Sequence, residues 1–490
     1  MNAAPGFRKQ AVLKELARVI PSDCLIFLEE EIVAYECDAL TAFRQKPWAV
    51  TLPRTEAQVI AILKTCKEMG VCVVPRGGGT SLSGGARPID GSVVVSLSRM
   101  KGIVRLDPLA CTATVEPGVR NQSISDAASI HGLYYAPDPS SQLACTIGGN
   151  IAENAGGLHC LKYGVTLNNV LHVRGVSMDG DIIEVGSLAG EAPGLDLMPL
   201  LVGSEGMLAL VTQVTVRLLP KPPHVQVMLV SFDDVAKAAN AVAGIISAGI
   251  IPAALEMMDQ GAAHAIEACI HPGYDMNAQA ILICEADGTQ EQVTEEIARM
   301  TEIFLSLGAT DCKVSQSAAE REGYWKGRKA ALTAASQIAP DCYVMDGVIP
   351  RRMIAPVLEK IDKLQAKHGL RCVNVFHAGD GNLHPIVCYD GSIEGQWERA
   401  EHFGEDILAA CIEAGGSVSG EHGVGVEKLD AMCSQFGTKE MAMFHRIKAA
   451  FDPAGLLNPD KAIPTLSRCA EHGRMHINQG NFPRPDLPRF

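Results

Sequence analysis

Several patterns that define common functional classes are missing from this chain of 490 residues. Its 16 cysteines nowhere form a Cys-x-x-Cys pair, so iron–sulfur and zinc-ribbon spacings are lacking. No run of lysine and arginine interrupts a formal net charge of −14, which argues against a nucleic-acid partner and a basic membrane patch. The N-terminus lacks a hydrophobic signal segment, so we expect a cytoplasmic protein whose cysteines are reduced thiols.

A transmembrane segment is also missing from the sequence. The one stretch that resembles such a segment, residues 239–258, contains Asn240, Ser247 and Pro252 and consists mostly of small residues. We therefore predict that it forms a helix, a turn and a strand.

The composition that is present favours a compact α/β protein of two or three domains, and its size permits an enzyme. The chain is too long for one core, and 47% of its residues are hydrophobic while only 20% are charged. Short valine, isoleucine and leucine runs punctuated by glycine predict strands from residue 48 to about 219, before a proline-rich linker at 220–223. We expect the chain to comprise an N-terminal helical segment at 1–45, a cofactor-binding domain at 46–222, a cap domain at 223–440, and a C-terminal segment at 441–490 that returns to the first domain.

The cap domain is predicted from two β-α-β units. Their strands are expected at 225–231, 253–258, 279–285 and 311–315, and their helices at 233–247 and 290–307. Units of this size predict a ferredoxin-like sheet with helices on one face. Further helices are expected at 353–368, near 396–414 and at 439–450.

Three glycine-rich segments lie in the predicted cofactor domain. Residues 75–85 directly follow an apolar strand, and their backbone amides could surround an anionic group such as a diphosphate. This segment matches neither the Gly-x-Gly-x-x-Gly fingerprint nor a P-loop, and alone it is equally typical of a flexible turn. Residues 137–158 and 201–206 add two similar segments, which together suit a long ligand. Possible donors to phosphate or ring carbonyl groups are Ser140, Ser141, Thr146 and Asn150.

A cluster of histidines and carboxylates marks a second candidate site. His377 and His384 are separated by a glycine-rich stretch, so adjacent strands could bring them together. With Glu421 they form a ligand set for zinc or a similar divalent ion that leaves one coordination position open. His422 is then available to move protons. Two alternatives remain at this point: metal-assisted hydrolysis, and histidines that merely cap turns or sit in the core.

The glycine segments resemble those of the vanillyl-alcohol-oxidase-like flavoproteins. Within that family the chain is most similar to the D-2-hydroxyacid dehydrogenases, and the resemblance extends through residues 324–329, 345–352, 376–384, 420–423 and 468–475. The resemblance implies an α+β fold with a PCMH-type FAD-binding domain of two subdomains, a ferredoxin-like cap (substrate) domain and a C-terminal helical segment. It also implies that FAD and a divalent metal are the cofactors.

The resemblance further implies residue roles. Arg328 would clamp the substrate carboxylate, Asn382 would bond to the substrate, and His422 would be the base. His377, His384 and Glu421 would be the metal ligands. The diphosphate would be bound by Arg76, Gly77, Gly78, Gly79, Thr80 and Ser81, and the rest of the cofactor would be lined by Pro137, Asp138, Ser141, Gly148, Gly149, Asn154, Gly157, Glu205, Gly206 and Val211.

The activity implied is oxidation of a small 2-hydroxy acid, with its proton abstracted and its hydride transferred to FAD. Relatives that take a five-carbon dicarboxylate have a lysine shortly before the equivalent of Asp346, whereas Tyr343, Val344 and Met345 precede it here. Glycolate and D-lactate are therefore favoured, giving glyoxylate and pyruvate. Electrons would pass to further oxidase subunits, one of them an iron–sulfur subunit, which could attach the protein peripherally to the inner membrane.

Two other functions stay open for a chain with these motifs. One is a stand-alone D-lactate or D-2-hydroxyglutarate dehydrogenase. The other is a non-catalytic subunit that carries flavin only for assembly, in which case substrate never bleaches the flavin.

Overall fold

The computed structural model describes residues 5–190, 194–465 and 469, and its contacts divide the chain into two compact units. The first unit comprises Met1–Gly156, Val165–Pro220 and Glu421–Phe490, and the second comprises Gly157–Gly164 and Lys221–Gly420. Within the described ranges, no helix has both the length and the apolar character needed to cross a membrane. The chain leaves the second unit after Gly420, earlier than the boundary at residue 440 expected from the sequence.

The helices are mostly short, and several begin at a side chain that accepts a bond from the first turn. In the numbering given next, such capping residues are Thr55 before α3, Asp234 before α8, Thr289 before α10 and Ser317 before α11. In chain order the described α-helices are α1 (Pro5–Val19), α2 (Glu29–Ile32), α3 (Glu56–Glu68), α4 (Asn121–Ala128), α5 (Ile147–Glu153), α6 (Cys160–Tyr163), α7 (Met198–Leu201), α8 (Val235–Ser247), α9 (Gln260–Ile270), α10 (Gln290–Ser306), α11 (Ala318–Lys329), α12 (Ala331–Ala335), α13 (Ile354–His368), α14 (Gln396–Glu413), α15 (Leu429–Gln435) and α16 (Thr438–Phe451).

The strands of the first unit form separate sheets. In chain order they are β1 (Leu25–Ile26), β2 (Ala49–Thr51), β3 (Val73–Arg76), β4 (Val93–Ser96), β5 (Ile103–Asp107), β6 (Thr112–Val115), β7 (Leu133–Tyr134), β8 (Val170–Val176), β9 (Ile182–Gly186), β10 (Leu210–Arg217) and β11 (Leu219–Pro220). One sheet has the order β1-β2-β4-β3, with β2, β4 and β3 parallel. A second, antiparallel sheet has the order β5-β6-β10-β8-β9, and β11 pairs with β7.

Each larger sheet of the first unit has its own hydrophobic core. Helix α3 packs Val59 and Ile62 against the β-branched side chains of β3 and β4. Around the second sheet, α5 contributes Ile147 and Ile151 to a core that includes Val173 of β8. Two cores in one unit agree with the expected two-subdomain arrangement, and burying a valine or isoleucine contributes about 1.5–3 kcal/mol to each.

The second unit is built on one seven-stranded sheet. The described strands of this unit, seven in that sheet and two in a separate pair, are β12 (His224–Phe232), β13 (Ala254–Asp259), β14 (Ala280–Gly288), β15 (Ala309–Val314), β16 (Asp341–Val344), β17 (Gly347–Val348), β18 (Arg371–Phe376), β19 (Asn382–Leu383) and β20 (Pro385–Tyr389). The order is β15-β12-β14-β13-β18-β20-β16, in which the first four strands have the antiparallel ferredoxin-like arrangement predicted from the sequence. Strands β17 and β19 form a separate pair.

The helices of the two predicted β-α-β units, α8 and α10, pack together on one face of this sheet as predicted, but further helices cover the other face. Phe232 of β12 packs edge-on against Phe304 of α10. Val227 and Leu229 of the same strand lie an odd number of positions before Phe232, and they face a core with α9, α11 and α12. Successive strand residues point to opposite faces, so helices lie on both. Strand β14 is buried along nearly its whole length for the same reason.

The segment Gly157–Gly164 belongs to the second unit although the sequence assigns it to the FAD-binding domain. Tyr163 donates its hydroxyl to Asp287 at 2.5 Å, and His159 Nε2 lies 3.1 Å from Glu285 Oε1. Lys162 forms an ion pair with Asp287. These carboxylates lie two residues apart on one face of β14, so α6 is fastened to that strand by its side chains.

The expectation that all cysteines are reduced thiols is wrong for one pair. Cys433 and Cys469 form a disulfide across a sequence separation of 36, and 14 cysteines remain as free thiols. No sequence motif indicates such a distant pair, because only the folded chain brings its members together. Apart from Cys469, the tail motif at 468–475 lies outside the described residues.

Candidate active site

The three glycine segments of the first unit adjoin one another. A Cβ atom added to Gly77 would lie 2.6 Å from Thr146 Oγ1 and 3.2 Å from the Gly149 nitrogen, so only glycine permits this approach. The third segment is bonded to α5, because the Glu205 nitrogen donates to the Ala152 carbonyl at 2.8 Å. The folded chain thus brings together the segments that the sequence assigns to one ligand.

The cradle between these segments fits the diphosphate of FAD. Thr146 Oγ1 is buried beside Gly77 and has no hydrogen-bond partner among the described residues. An unsatisfied buried hydroxyl costs about 1–3 kcal/mol, so its position favours an anionic partner in the cradle. The surrounding backbone amides of small residues are the donors that such a group requires.

Other predicted cofactor residues have structural partners of their own. Arg76 ends β3 and donates Nη1 to the Cys37 carbonyl at 2.7 Å, with its guanidinium 5.5 Å from the Tyr35 ring. Asn154 caps α5 with φ +53° and accepts from the Leu167 nitrogen. Three further members are hydrogen-bonded: the Pro137 carbonyl accepts from Asn121, the Ser141 carbonyl accepts from the Ala144 and Cys145 nitrogens, and Ser81 bonds to Ser83. Two glycines pack on prolines, Gly148 on Pro117 and Gly206 on Pro75. Val211 lies on β10, and the glycine segments contain Gly78, Gly79, Thr80 and Asp138.

Glu205 has a role that the sequence does not indicate. Its carboxylate accepts from the Val424 nitrogen at 2.7 Å and from the Gly425 nitrogen at 2.8 Å, which fixes the backbone just after His422. Oε2 of the nearby Glu153 is buried too, although the residue as a whole is partly exposed. Burial raises the pKa of both carboxyl groups, and the neighbouring Glu205 raises that of Glu153 further.

In the second unit, Glu256 joins two predicted site residues. His377 donates Nδ1–H to Glu256 Oε1 at 2.7 Å, and Arg328 donates Nε–H to Glu256 Oε2 at 2.8 Å. Arg328 Nη2 lies 2.8 Å from the same oxygen, so one edge of the guanidinium is bound. Burial opposes the charge of Glu256, but the charges of His377 and Arg328 hold its pKa below the ordinary value.

The two histidines meet at the end of the β18–β20 pair. The His377 nitrogen donates to the Asn382 carbonyl at 3.0 Å, and the rings of His377 and His384 have centroids 5.1 Å apart. His384 Nδ1 lies 3.2 Å from the Met345 carbonyl, which can only accept, so Nδ1 carries the proton. With Nδ1 bonded in both rings, the neutral form of each carries its lone pair on Nε2, the arrangement that outer partners impose on metal-binding histidines.

Asp346 organises the residues beside these histidines. It is buried, and it accepts from Asn382 Nδ2 at 2.8 Å and from the Ser419 hydroxyl at 2.7 Å. The Gly420 nitrogen donates to it at 3.0 Å. Asn382, the predicted substrate contact, therefore directs its amide hydrogens at Asp346, and Glu421 and His422 follow Gly420 in the chain as members of the first unit.

Glu256, like Asp346, belongs to this site without being assigned a role there by the sequence motifs. It lies within residues 239–258, which were assigned only as a helix, a turn and a strand. The available signal is a carboxylate among the apolar residues of a buried strand, because a buried charge needs a partner. Identifying that partner from sequence would require knowing which residues of α11 and β18 adjoin β13.

Comparison with known proteins identifies first the class and then the family. Among solved structures, the chain superimposes with a TM-score of 0.81 on p-cresol methylhydroxylase with substrate bound, at 18% identity, covering 94% of this chain and 98% of that one. The 4-ethylphenol oxidase from Gulosibacter chungangensis gives 0.76 at 18% identity with the same coverage. These likenesses show that the fold is the PCMH type predicted.

The family follows from the sequence comparisons. The model described as "FAD binding domain" matches residues 47–186, and "FAD linked oxidases, C-terminal domain" matches residues 221–462. The chain belongs to the FAD-linked oxidase family, and FAD is its cofactor. It is 52% identical to "Glycolate oxidase subunit GlcD" of Escherichia coli (strain K12), over 100% of this chain and 98% of that protein. It is 32% identical to "D-lactate dehydrogenase" of Anaerostipes hadrus, over 85% of this chain and 90% of that protein.

Proposed function

We propose that this chain oxidises a small 2-hydroxy acid, glycolate to glyoxylate and also D-lactate to pyruvate. The observation that carries the proposal is the pairing of Arg328 and His377 on Glu256, since it associates a carboxylate-binding cation with a metal-type histidine. The names of the relatives point to the same substrates. FAD, when bound, supplies the acceptor for the hydride.

His377, His384 and Glu421 are the proposed ligands of a divalent metal, zinc or a similar ion. The fixed tautomers of the two histidines fit this role, because each presents Nε2 as the acceptor atom. Glu421 follows Gly420, whose backbone is bonded to Asp346 in the second unit. Such an ion, when bound, supplies a Lewis acid that lowers the pKa of the substrate hydroxyl.

The side chains of this chain would then divide the remaining work. Arg328 binds the substrate carboxylate through the edge of its guanidinium that faces away from Glu256. Asn382 bonds to the substrate, and His422 accepts the hydroxyl proton as general base. His422 is positioned through the residues after it, because Glu205 holds the backbone of Val424 and Gly425.

Small monocarboxylates are the preferred substrates in this proposal. In the strand before Asp346, Tyr343 is buried with its ring 5.4 Å from Trp397, and Met345 is also buried. Neither these residues nor Val344 brings a cation that could pair with a second carboxylate. A five-carbon dicarboxylate would therefore leave one charge without a partner at this position.

We further propose that the reduced protein passes its electrons to partner subunits, including an iron–sulfur subunit. The relative at 52% identity is named as a subunit of glycolate oxidase, which supports such an assembly. The proposed location is the cytoplasm, with peripheral attachment to the inner membrane through those partners. The D-lactate dehydrogenase relatives favour a second candidate, a stand-alone dehydrogenase.

The test is anaerobic addition of glycolate, D-lactate and D-2-hydroxyglutarate to the purified protein while its flavin absorption is recorded. We expect glycolate and D-lactate to bleach the flavin, and D-2-hydroxyglutarate to do so more slowly. A flavin that no hydroxy acid bleaches would indicate an assembly subunit, and a colourless protein would indicate a hydrolase. Adding partner subunits distinguishes the assembly from the stand-alone enzyme, because only the former needs them to pass electrons to its final acceptor.

A further inference from the structure

Glu256 lies at the centre of three elements of the second unit. It is in the middle of β13 and is fully buried, between the core residues Ala254 and Met258 of the same face. Its Oε2 binds Arg328 from α11, and its Oε1 binds His377 at the end of β18. One carboxylate therefore sets the position of two side chains that are far apart in sequence.

Stability alone does not account for this arrangement. The free energy lost in desolvating a buried ion pair is about as large as the free energy gained from the attraction of its charges. Replacing such a pair by apolar residues of similar volume is therefore often neutral or stabilising. The neighbouring positions of β13 are filled by such apolar residues. Glu256 instead binds one side of each partner. It thereby orients the opposite side, which is Nε2 in His377 and the guanidinium edge that faces away from Oε2 in Arg328.

We propose that Glu256 is a positioning residue that couples the metal to the substrate carboxylate. It fixes the tautomer of His377 and raises the basicity of that ligand, and it holds Arg328 in the orientation that meets the substrate. The inference rests on the proposed function. It adds that metal affinity and substrate affinity depend on one buried carboxylate that touches neither ligand.

The experiment compares Glu256→Gln with Asp259→Asn in the full-length holoprotein. Asp259 is a matched control, because it lies on the same strand and accepts at 2.8 Å from both the Ala262 nitrogen and the Asn374 side chain, away from Arg328 and His377. Zinc affinity is measured by competition with a chromogenic chelator, flavin content by absorption, and the KM and kcat for glycolate by flavin-coupled turnover.

In Glu256→Gln we expect zinc affinity to fall by about 10–100-fold. We also expect kcat/KM for glycolate to fall by about a hundredfold, with KM raised, while flavin content stays unchanged. Asp259→Asn should leave all of these values near wild type. Unchanged zinc affinity in Glu256→Gln, or an equal loss in Asp259→Asn, would overturn the proposal.

Two further measurements keep the outcomes separable. If Glu256→Gln does not fold, Glu256→Asp keeps the charge but shortens the reach, so zinc affinity and KM should both worsen by smaller factors; unchanged values would contradict the proposal. If no hydroxy acid bleaches the wild-type flavin, the proposed function fails, and the coupling to substrate fails with it. Zinc affinity would then still decide whether Glu256 supports His377.

Discussion

Two buried carboxylates, Glu205 of the first unit and Glu256 of the second, differ in their partners and in the direction of their pKa shifts. In the first unit, the Glu205 carboxylate accepts from the backbone nitrogens of Val424 and Gly425, and burial raises its pKa as it does that of the neighbouring Glu153. In the second unit, Glu256 is equally buried, yet Arg328 and His377 hold its pKa below the ordinary value. For Glu205 the backbone hydrogen bonds and the charges of Lys428 and Lys461 do not offset burial, whereas for Glu256 the direct contacts of His377 and Arg328 do.

This difference corresponds to a division of labour. In the proposed site, the first unit offers backbone amides and glycine surfaces to the cofactor, and its Glu205 side chain holds the chain in place. The second unit uses charged side chains as parts of the site. Substitutions should therefore act through backbone space in the first unit and through side-chain chemistry in the second.

The largest expected effect comes from filling backbone space in the first unit. Gly77→Leu should abolish FAD binding, because its Cβ would lie 2.6 Å from Thr146 Oγ1 and its side chain would occupy the cradle. The measurement is the flavin-to-protein absorption ratio, with circular dichroism to verify folding. Gly323→Ala, at an open position of the second unit, is the control and should keep its flavin. Stoichiometric FAD in Gly77→Leu would refute the assignment of the cradle.

A change at the proposed base should separate cofactor binding from chemistry. His422→Ala should retain FAD, whereas glycolate should bleach it about a thousandfold more slowly, since a positioned general base contributes about 10²–10⁴-fold. Stopped-flow absorption under anaerobic conditions measures the rate. The control is His445→Ala, a histidine of the first unit that bonds to the Pro464 carbonyl. Normal reduction by His422→Ala would remove this residue from the mechanism.

Metal removal tests whether the second unit works through its histidines. Chelation should slow flavin reduction by about a hundredfold without releasing FAD, because a Lewis acid contributes several kcal/mol and the glycine segments hold the flavin independently. Restoring the rate with added zinc excludes an effect of the chelator itself. Full activity in metal-free protein would contradict the ligand assignment of His377, His384 and Glu421.

The smallest effect is expected from Glu153→Gln, which replaces a carboxyl group in the first unit as Glu256→Gln does in the second. Because its pKa is raised in the folded state, the fold disfavours the charged form, and stability should fall as pH rises from the unfolded pKa through the folded one. Glu153→Gln mimics the neutral acid and should lose that decline while keeping flavin and turnover. Urea unfolding across a pH series provides the measurement. An identical pH profile in both proteins would mean that Glu153 is charged in the fold.

Local sequence signals predicted many elements of this structure. The helices at 353–368, 396–414 and 439–450 are found as α13, α14 and α16 with nearly the same bounds, because apolar spacing and glycine or proline boundaries are local features. The ferredoxin-like strands were predicted for the same reason. Helices on both faces were not foreseen, because a fully apolar strand such as β14 indicates burial without indicating what covers each side.

The candidate site was predicted in part. Arg328, His377, His384 and Asn382 were identified, but their partners Glu256 and Asp346 were not assigned those roles. Short motifs pointed to these residues as candidate ligand contacts, which stay predictions, since their chemistry is distinctive at a fixed spacing. The residues that orient them are ordinary acids on other elements, and nothing in their neighbouring sequence announces the contact.

The sequence by itself determined the family, its FAD cofactor and the glycine segments, because each depends on residue identity over a short span. The tertiary structure decided which groups act together. It brought Thr146 beside Gly77, joined Cys433 to Cys469 and set Glu256 between Arg328 and His377. The physical reason is that burial sets the free energy of a charge, and burial arises only when distant segments pack.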